Sequence, residues 1–250
     1  MRRWLAAAVL MAILLAAMPS ARAAAGGRPS PSPVLNLQVT DLADVGFVVT
    51  FCTSSEQAGA VRYGTSQTHL TSLALDDRDV ARRAARPTVR STVHRVTLTG
   101  LRYNTTYYYE PVVDDVAIAA GPAGLLKQRT APLLPIRPPV TVYGTVVFGS
   151  RAAPAPGSVL LEGYWSNLAG QRSWVVSALS GAPASNGVGA QYEFLPELLD
   201  ASGGAPFSPG AGATFHVMGE ADVHARLQSC GPVSSKLGLH LTVMPALHLS

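Results

Sequence analysis

The sequence predicts an all-β protein: two consecutive β-sandwich domains after a cleavable signal peptide. Three observations carry this. Short segments in which apolar and polar residues alternate recur about every ten residues, with turn residues between them, the pattern of half-buried strands. No stretch of a dozen residues sustains a capped 3.6-residue period, apart from a weak candidate around residues 77–85. Four prolines within residues 131–139 divide the pattern in two. With 250 residues, 48% hydrophobic and 14% charged, the chain is too apolar for disorder and long enough for one large core or two smaller ones.

The elements follow in order. Residues 1–23 carry Arg2 and Arg3, an apolar run from Trp4 to Met18, and the small-residue triplet Ala21-Arg22-Ala23, the layout of a secretory signal. That run is 15 residues, shorter than the roughly 20 that cross a bilayer, so cleavage near Ala23 is expected rather than retention as an anchor. Its loss removes three Arg and no acid, and the formal charge falls from +4 to +1. The basic pI then gives no support to nucleic-acid binding. No later stretch has 18 consecutive apolar residues, so no integral span is expected after processing. The excess of Ala, Gly, Pro and Arg over only two Lys suggests high-GC coding and a bacterial source.

Residues 24–33 read as a flexible leader. Residues 34–131 read as the first sandwich: Leu35, Leu37 and Val39 alternate with polar neighbours, as do Phe47, Val49 and Phe51, followed by Val61 and Tyr63, Val93 to Leu98 and Tyr107 to Val113. Residues 132–139 are a proline-rich connector, because each proline removes a donor and restricts its predecessor. Residues 140–250 resume the strand pattern, with segments near 142–148, 159–165, 172–179, 191–195, 214–223 and 237–243.

Phe51-Cys52-Thr53-Ser54-Ser55-Glu56, then Gly59 to Ser66, and above all the run His94 to Tyr109 resemble fibronectin type III-like domains of the kind that precedes the catalytic domain of purple acid phosphatases. The resemblance implies an immunoglobulin-like sandwich with a tyrosine corner, Tyr107 bonding back to the chain upstream and Leu101 packing beside it. The sequence departs from that family at Phe51, where tryptophan is usual, and at Tyr103, where proline is usual. The metal ligands of those phosphatases lie in a separate domain with Gly-Asn-His type motifs, and none occurs here. Residues 142–147 and 156–161 resemble, more loosely, the opening of carboxypeptidase-regulatory-like sandwiches, which implies a fold and not an activity.

Candidate chemistry is sparse. No nucleophile elbow, Ser-x-x-Lys, phosphate loop or dinucleotide fingerprint is present. Cys52 and Cys230 could close a disulfide worth up to about 5 kcal/mol, or remain two independent thiols. His216, Glu220, Asp222 and His224 could supply metal ligands from an extended segment, though a solvated strand face has the same alternation. Arg78, Arg82, Arg83, Arg86, Arg90 and Arg95 form the densest basic run, in which Arg82, Arg83 and Arg86 could meet an anionic polysaccharide or lipid headgroup, but Asp76, Asp77 and Asp79 adjoin it. A hairpin centred between Ala169 and Gly170 would set Trp165 opposite Trp174, beside Tyr164. On an exposed face that pair is a sugar platform, and on an inner face it is core. Asn104-Thr105-Thr106 has the form of a glycosylation acceptor inside the corner turn.

The function these residues imply is a secreted, periplasmic or cell-surface protein that is not an enzyme. It needs no cofactor and contacts an envelope glycan or another exported protein. The alternatives are a small exported metal-dependent hydrolase, or an accessory subunit of a separately encoded exported enzyme.

Overall fold

In the computed structural model the described residues are 33–118, 125–133, 142–147, 155–181, 190–194, 199–208, 213–221 and 240–243. The signal segment and most of the leader and the proline connector therefore lie outside them. Among the described residues no helix is long and apolar enough to cross a membrane.

The first half is organised by one long strand. Among the described residues it holds strands β1 (Val34–Thr40), β2 (Phe47–Gly64), β3 (Ser72–Leu75), β4 (Arg90–Leu98), β5 (Thr106–Val113), β6 (Val116–Ala117) and β7 (Leu126–Arg129), with one short helix, α1 (Asp77–Ala81), between β3 and β4. The first part of β2 pairs with β1 and β4, and from Gly59 onward it pairs with β3 and β5, all antiparallel. Between these parts the register against β4 shifts at Cys52/Gln57. There Ser54, Ser55 and Glu56 stand exposed. A bulge of this kind bends a strand and lets it change sheets. The result is a sheet β1-β2-β4 facing a sheet β3-β2-β5-β7. Alternation places Phe47, Val49, Phe51, Val96 and Leu98 from one sheet against Val61, Tyr107, Tyr109 and Val113 from the other.

Leu101 is buried in the same cluster, and the Tyr107 hydroxyl accepts the backbone N–H of Arg102 at 3.0 Å. That bond ties the loop entering β5 to its own strand. The weak helical candidate is α1, where the Asp76 side chain caps the N-terminus by accepting Arg78 N–H at 3.0 Å.

The second half contains β8 (Val142–Val147), β9 (Val159–Ser166), β10 (Val176–Leu179), β11 (Ala190–Phe194), β12 (Thr214–Ala221) and β13 (His240–Val243). They form two three-stranded sheets, β10-β9-β12 and β11-β8-β13. Val142, Val146, Val159, Leu161, Trp165, Val176, Tyr192 and Phe194 make one core. Apart from α1, every element among the described residues is a strand, as the all-β class requires.

The hairpin from β9 to β10 differs from the expectation in one detail. Its ladder has Val176 opposite Gly163 and Leu179 opposite Leu160, the expected register. Nearer the turn, Ser166 bridges Arg172, and Ser173 takes the place opposite Trp165, donating its N–H to Trp165 O at 2.9 Å. The register slips by one residue between these points, and a one-residue slip reverses which face a side chain occupies. Trp165 packs in the second-half core, tilted against Phe215. Trp174 packs with the first-half core and donates its indole N–H to Val39 O at 3.0 Å. The two indoles do not form a pair.

Residues Pro31–Ser250 form one compact unit. On β2 the outward-facing Val48, Thr50 and Cys52 are as buried as the inward-facing Phe47, Val49 and Phe51. Their cover is the outer face of β9 and β10. Leu160 and Leu179 meet Cys52, Val93 and Leu35 in a small apolar patch. Around it the contact is polar. Thr50 Oγ1 donates to Glu162 Oε1 at 2.7 Å and Gln38 Nε2 donates to Glu162 Oε2 at 3.0 Å. Thr40 Oγ1 donates to Ser177 Oγ at 2.8 Å, and Asp41 accepts from Ser177 through its N–H at 2.9 Å and its hydroxyl at 2.5 Å. Arg95 donates to Ser177 Oγ at 2.9 Å and ion-pairs with Asp41 and Asp77. Burial pushes the Asp41 carboxyl up from its ordinary value, against the opposing pull of the Arg95 charge and the Ser177 and Thr40 hydrogen bonds. At one edge Arg78 donates to Gly157 O at 3.0 Å.

Removing one donor from a buried carboxyl group costs about 1.5–3 kcal/mol. Thr50→Val should therefore destabilise the protein by about 2 kcal/mol in urea denaturation. The double variant Thr50→Val/Glu162→Leu should recover most of that loss. Additive losses in the two variants would show that the pair is not coupled.

Candidate functional site

The most exposed constellation of aromatic and titratable side chains is built on β9 and β12. On β9, Leu160, Glu162, Tyr164 and Ser166 share one face. Leu160 and Glu162 are covered by the first half, whereas Tyr164 and Ser166 are partly exposed. The β12 register sets His216 opposite Tyr164. Their rings stack at 4.8 Å with an interplanar angle of 15°. The Ser166 hydroxyl and His216 Nε2 lie 2.8 Å apart, within hydrogen-bonding distance. From the hairpin end, the Arg172 guanidinium lies 5.0 Å over the Tyr164 ring. Tyr164 is thereby in contact with a cation and with an imidazole, and the three side chains form a ladder across the sheet.

Gly163 makes room beneath this ladder. A Cβ there would lie 2.4 Å from the Phe215 ring and 2.9 Å from His216 O, so any side chain would push β12 away. The ladder presents guanidinium and phenol donors beside an exposed imidazole. That set can hydrogen-bond sugar hydroxyls or carboxylates; it is not a bare aromatic platform, since Tyr164 is already stacked with His216 and in contact with the Arg172 guanidinium.

Of the other candidates, Trp165 is core, and its indole N–H has no partner among the described residues. Trp174 ties β1 to the second half, as above. Glu220 lies on β12 opposite Leu160, and its side chain is outside the described set, as are Asp222 and His224. Among the described residues no group of three or more His, Cys, Asp or Glu side chains is placed to hold a metal. Cys52 is disulfide-bonded and fully buried. The chain's one other cysteine, Cys230, lies outside the described residues. Arg82, Arg83 and Arg86 are exposed in the loop after α1.

A second polar cluster was not anticipated from the sequence. His94 is wholly buried and stacks on Phe51 at 4.7 Å. Its Nδ1 lies 3.3 Å from Asp76 Oδ2, and its Nε2 lies 3.5 Å from Thr53 Oγ1. Acid, imidazole and hydroxyl stand in the order of a hydrolase relay, but Asp76 and His94 are fully buried and Thr53 is 1% exposed, so the hydroxyl has no face open to a substrate. Gly59 is required here, because a Cβ would sit 2.3 Å from His94 Nδ1. Asp76 also accepts two bonds from the Arg78 guanidinium, at 2.8 and 2.7 Å. Burial alone would raise its carboxyl; the Arg78 and His94 hydrogen bonds and charges outweigh it and hold the carboxyl at about 2.

A folded-state value of about 2 against an ordinary 3.8 makes the ionised Asp76 stabilising by about 2 kcal/mol above pH 4, a contribution lost as pH falls from about 4 through 2. The urea midpoint of the native chain should fall across that window more steeply than that of Asp76→Asn. Parallel curves would show that Asp76 has no part in the acid sensitivity.

No curated protein matches this chain. Residues 33–119 match the family model described as Purple acid Phosphatase, N-terminal domain. That span runs from the start of β1 past β6 and takes in the tyrosine-corner run. The β1-β2-β4 and β3-β2-β5-β7 sandwich is accordingly the part of the chain that is similar to that N-terminal domain.

Proposed function

We propose that this chain is an exported, non-catalytic binding or structural protein, and that it contacts an envelope glycan or another exported protein through the Arg172–Tyr164–His216 ladder. The observation that carries the reading is the ladder itself. It is a preformed, partly exposed set of donors and ring edges on the face of β9 whose Leu160 and Glu162 are covered by the first half. Two features support export: the signal-like residues 1–23 and the disulfide at Cys52, a bond that persists in oxidising compartments. A second reading, an accessory subunit of a separately encoded exported enzyme, is favoured by the match of residues 33–119 to a module named as the N-terminal domain of an enzyme.

Incubation of the purified full chain with envelope fractions and isolated envelope polysaccharides tests the first reading. Association with a glycan fraction is expected, weakened about tenfold by Tyr164→Ala or Arg172→Ala. No association with any envelope fraction, or binding indifferent to both variants, would remove it. Co-purification with one enzyme of the native host would favour the second.

A further inference from the structure

The loop that joins α1 to β4 has a charge balance that its sequence conceals. Six arginines lie between residues 78 and 95, and three acids adjoin them: Asp76, Asp77 and Asp79. All three acids are turned inward and engaged. Asp76 is taken by Arg78 and His94. Asp77 is taken by Arg95, by the Thr97 N–H at 3.0 Å and by the Thr97 hydroxyl at 2.9 Å. Asp79, fully buried on α1, accepts Thr88 N–H at 3.0 Å, the Thr88 hydroxyl at 2.5 Å and Val89 N–H at 3.0 Å. Arg90 pairs with Asp114. Among the described residues no carboxylate pairs with Arg82, Arg83 or Arg86, and all three are exposed.

The loop is also preorganised. Asp79 fastens its far end at Thr88 and Val89, and its near end is fixed by the bonds of Arg82 N–H to Arg78 O at 3.2 Å and of Ala84 N–H to Asp79 O at 3.0 Å. Arg83 has φ of 55°, the left-handed region that arginine rarely adopts, so the surrounding bonds over-determine it. Three guanidinium forks within five residues offer more donors than any single anionic group can satisfy, so the matching occupant carries several anionic groups in series. Successive phosphate groups supply the matching number of acceptor oxygens, each able to take a bidentate fork.

We propose that the loop spanning Arg82 to Arg86 is a docking site for a phosphate-bearing anionic polymer. The site stands on a different element from the Arg172–Tyr164–His216 ladder, so either reading can fail without the other.

The test titrates the full chain with inorganic polyphosphate, with polyglutamate, and with phosphatidylglycerol-containing vesicles, at two salt concentrations. Polyphosphate should bind more tightly than polyglutamate and lose affinity as salt rises. The triple variant Arg82→Gln/Arg83→Asn/Arg86→Gln should lose at least about tenfold in affinity with an unchanged melting temperature, Asn tolerating the left-handed position. Thr88→Val, which unfastens the loop but keeps its charge, should lose less than the triple variant. Tyr164→Ala should leave polyphosphate binding unchanged. Absence of polyphosphate binding, equal binding by the triple variant, equal binding of polyglutamate, or binding to vesicles without polyphosphate would each overturn the proposal.

Discussion

A buried carboxylate on the outside of a sheet is the constraint around which this molecule is arranged. Glu162 sits on the face of β9 that points away from its own core, and only 4% of it reaches solvent. A carboxyl group so placed must be matched by hydrogen-bond partners, and Thr50 and Gln38 of the first half are two of them. The match fixes the facing of β9. A one-residue slip would carry Glu162 into the apolar cluster and turn Leu161 and Trp165 out of it. The same face carries Leu160 onto Cys52 and Val93 and then emerges as Tyr164 and Ser166, so the ladder's position follows from the seam beneath it.

Two separate polar clusters flank this seam, and each turns acids away from solvent. Asp41 and Asp77 converge on Arg95, and Asp76 is held by Arg78 and His94. Because these acids are spent on internal donors, the cations left outside are not neutralised locally. The exposed charge at Arg82, Arg83 and Arg86 is in this sense a by-product of how α1 is fastened. The nearly neutral formal charge expected on loss of residues 1–23 conceals it.

Much of the fold was legible from the sequence. Period-two alternation located most strands among the described residues, though not β3, β6 or β7, and the run from His94 to Tyr109 signalled the module that the match to residues 33–119 supports. What could not be read was long-range. The outer face of β2 alternates Val48, Thr50 and Cys52, a pattern equally compatible with water and with a second sheet, and only the tertiary structure decides between them. The hairpin register was correct along β10 but wrong at Trp174, since a single slipped residue leaves no mark in hydrophobic periodicity. The acids beside the arginines seemed to neutralise the loop, and sequence adjacency carries no information on which way a carboxylate turns. Of the ladder, Tyr164 and His216 were singled out for other reasons. Arg172 was missed, although a cation two residues past a hairpin turn, near an aromatic on the facing strand, was a signal that could have found it.

If Glu162 and its partners bind the two halves into one cooperative unit, the halves must lose protection together. Hydrogen exchange of the full chain, followed peptide by peptide across a urea series, reads this directly. Peptides from β2 and β4 and peptides from β9 and β10 should become exchangeable at one common urea concentration. Release of β9 and β10 at clearly lower urea, with β2 and β4 still protected, would contradict the account, because the seam would then be a contact between independent sandwiches.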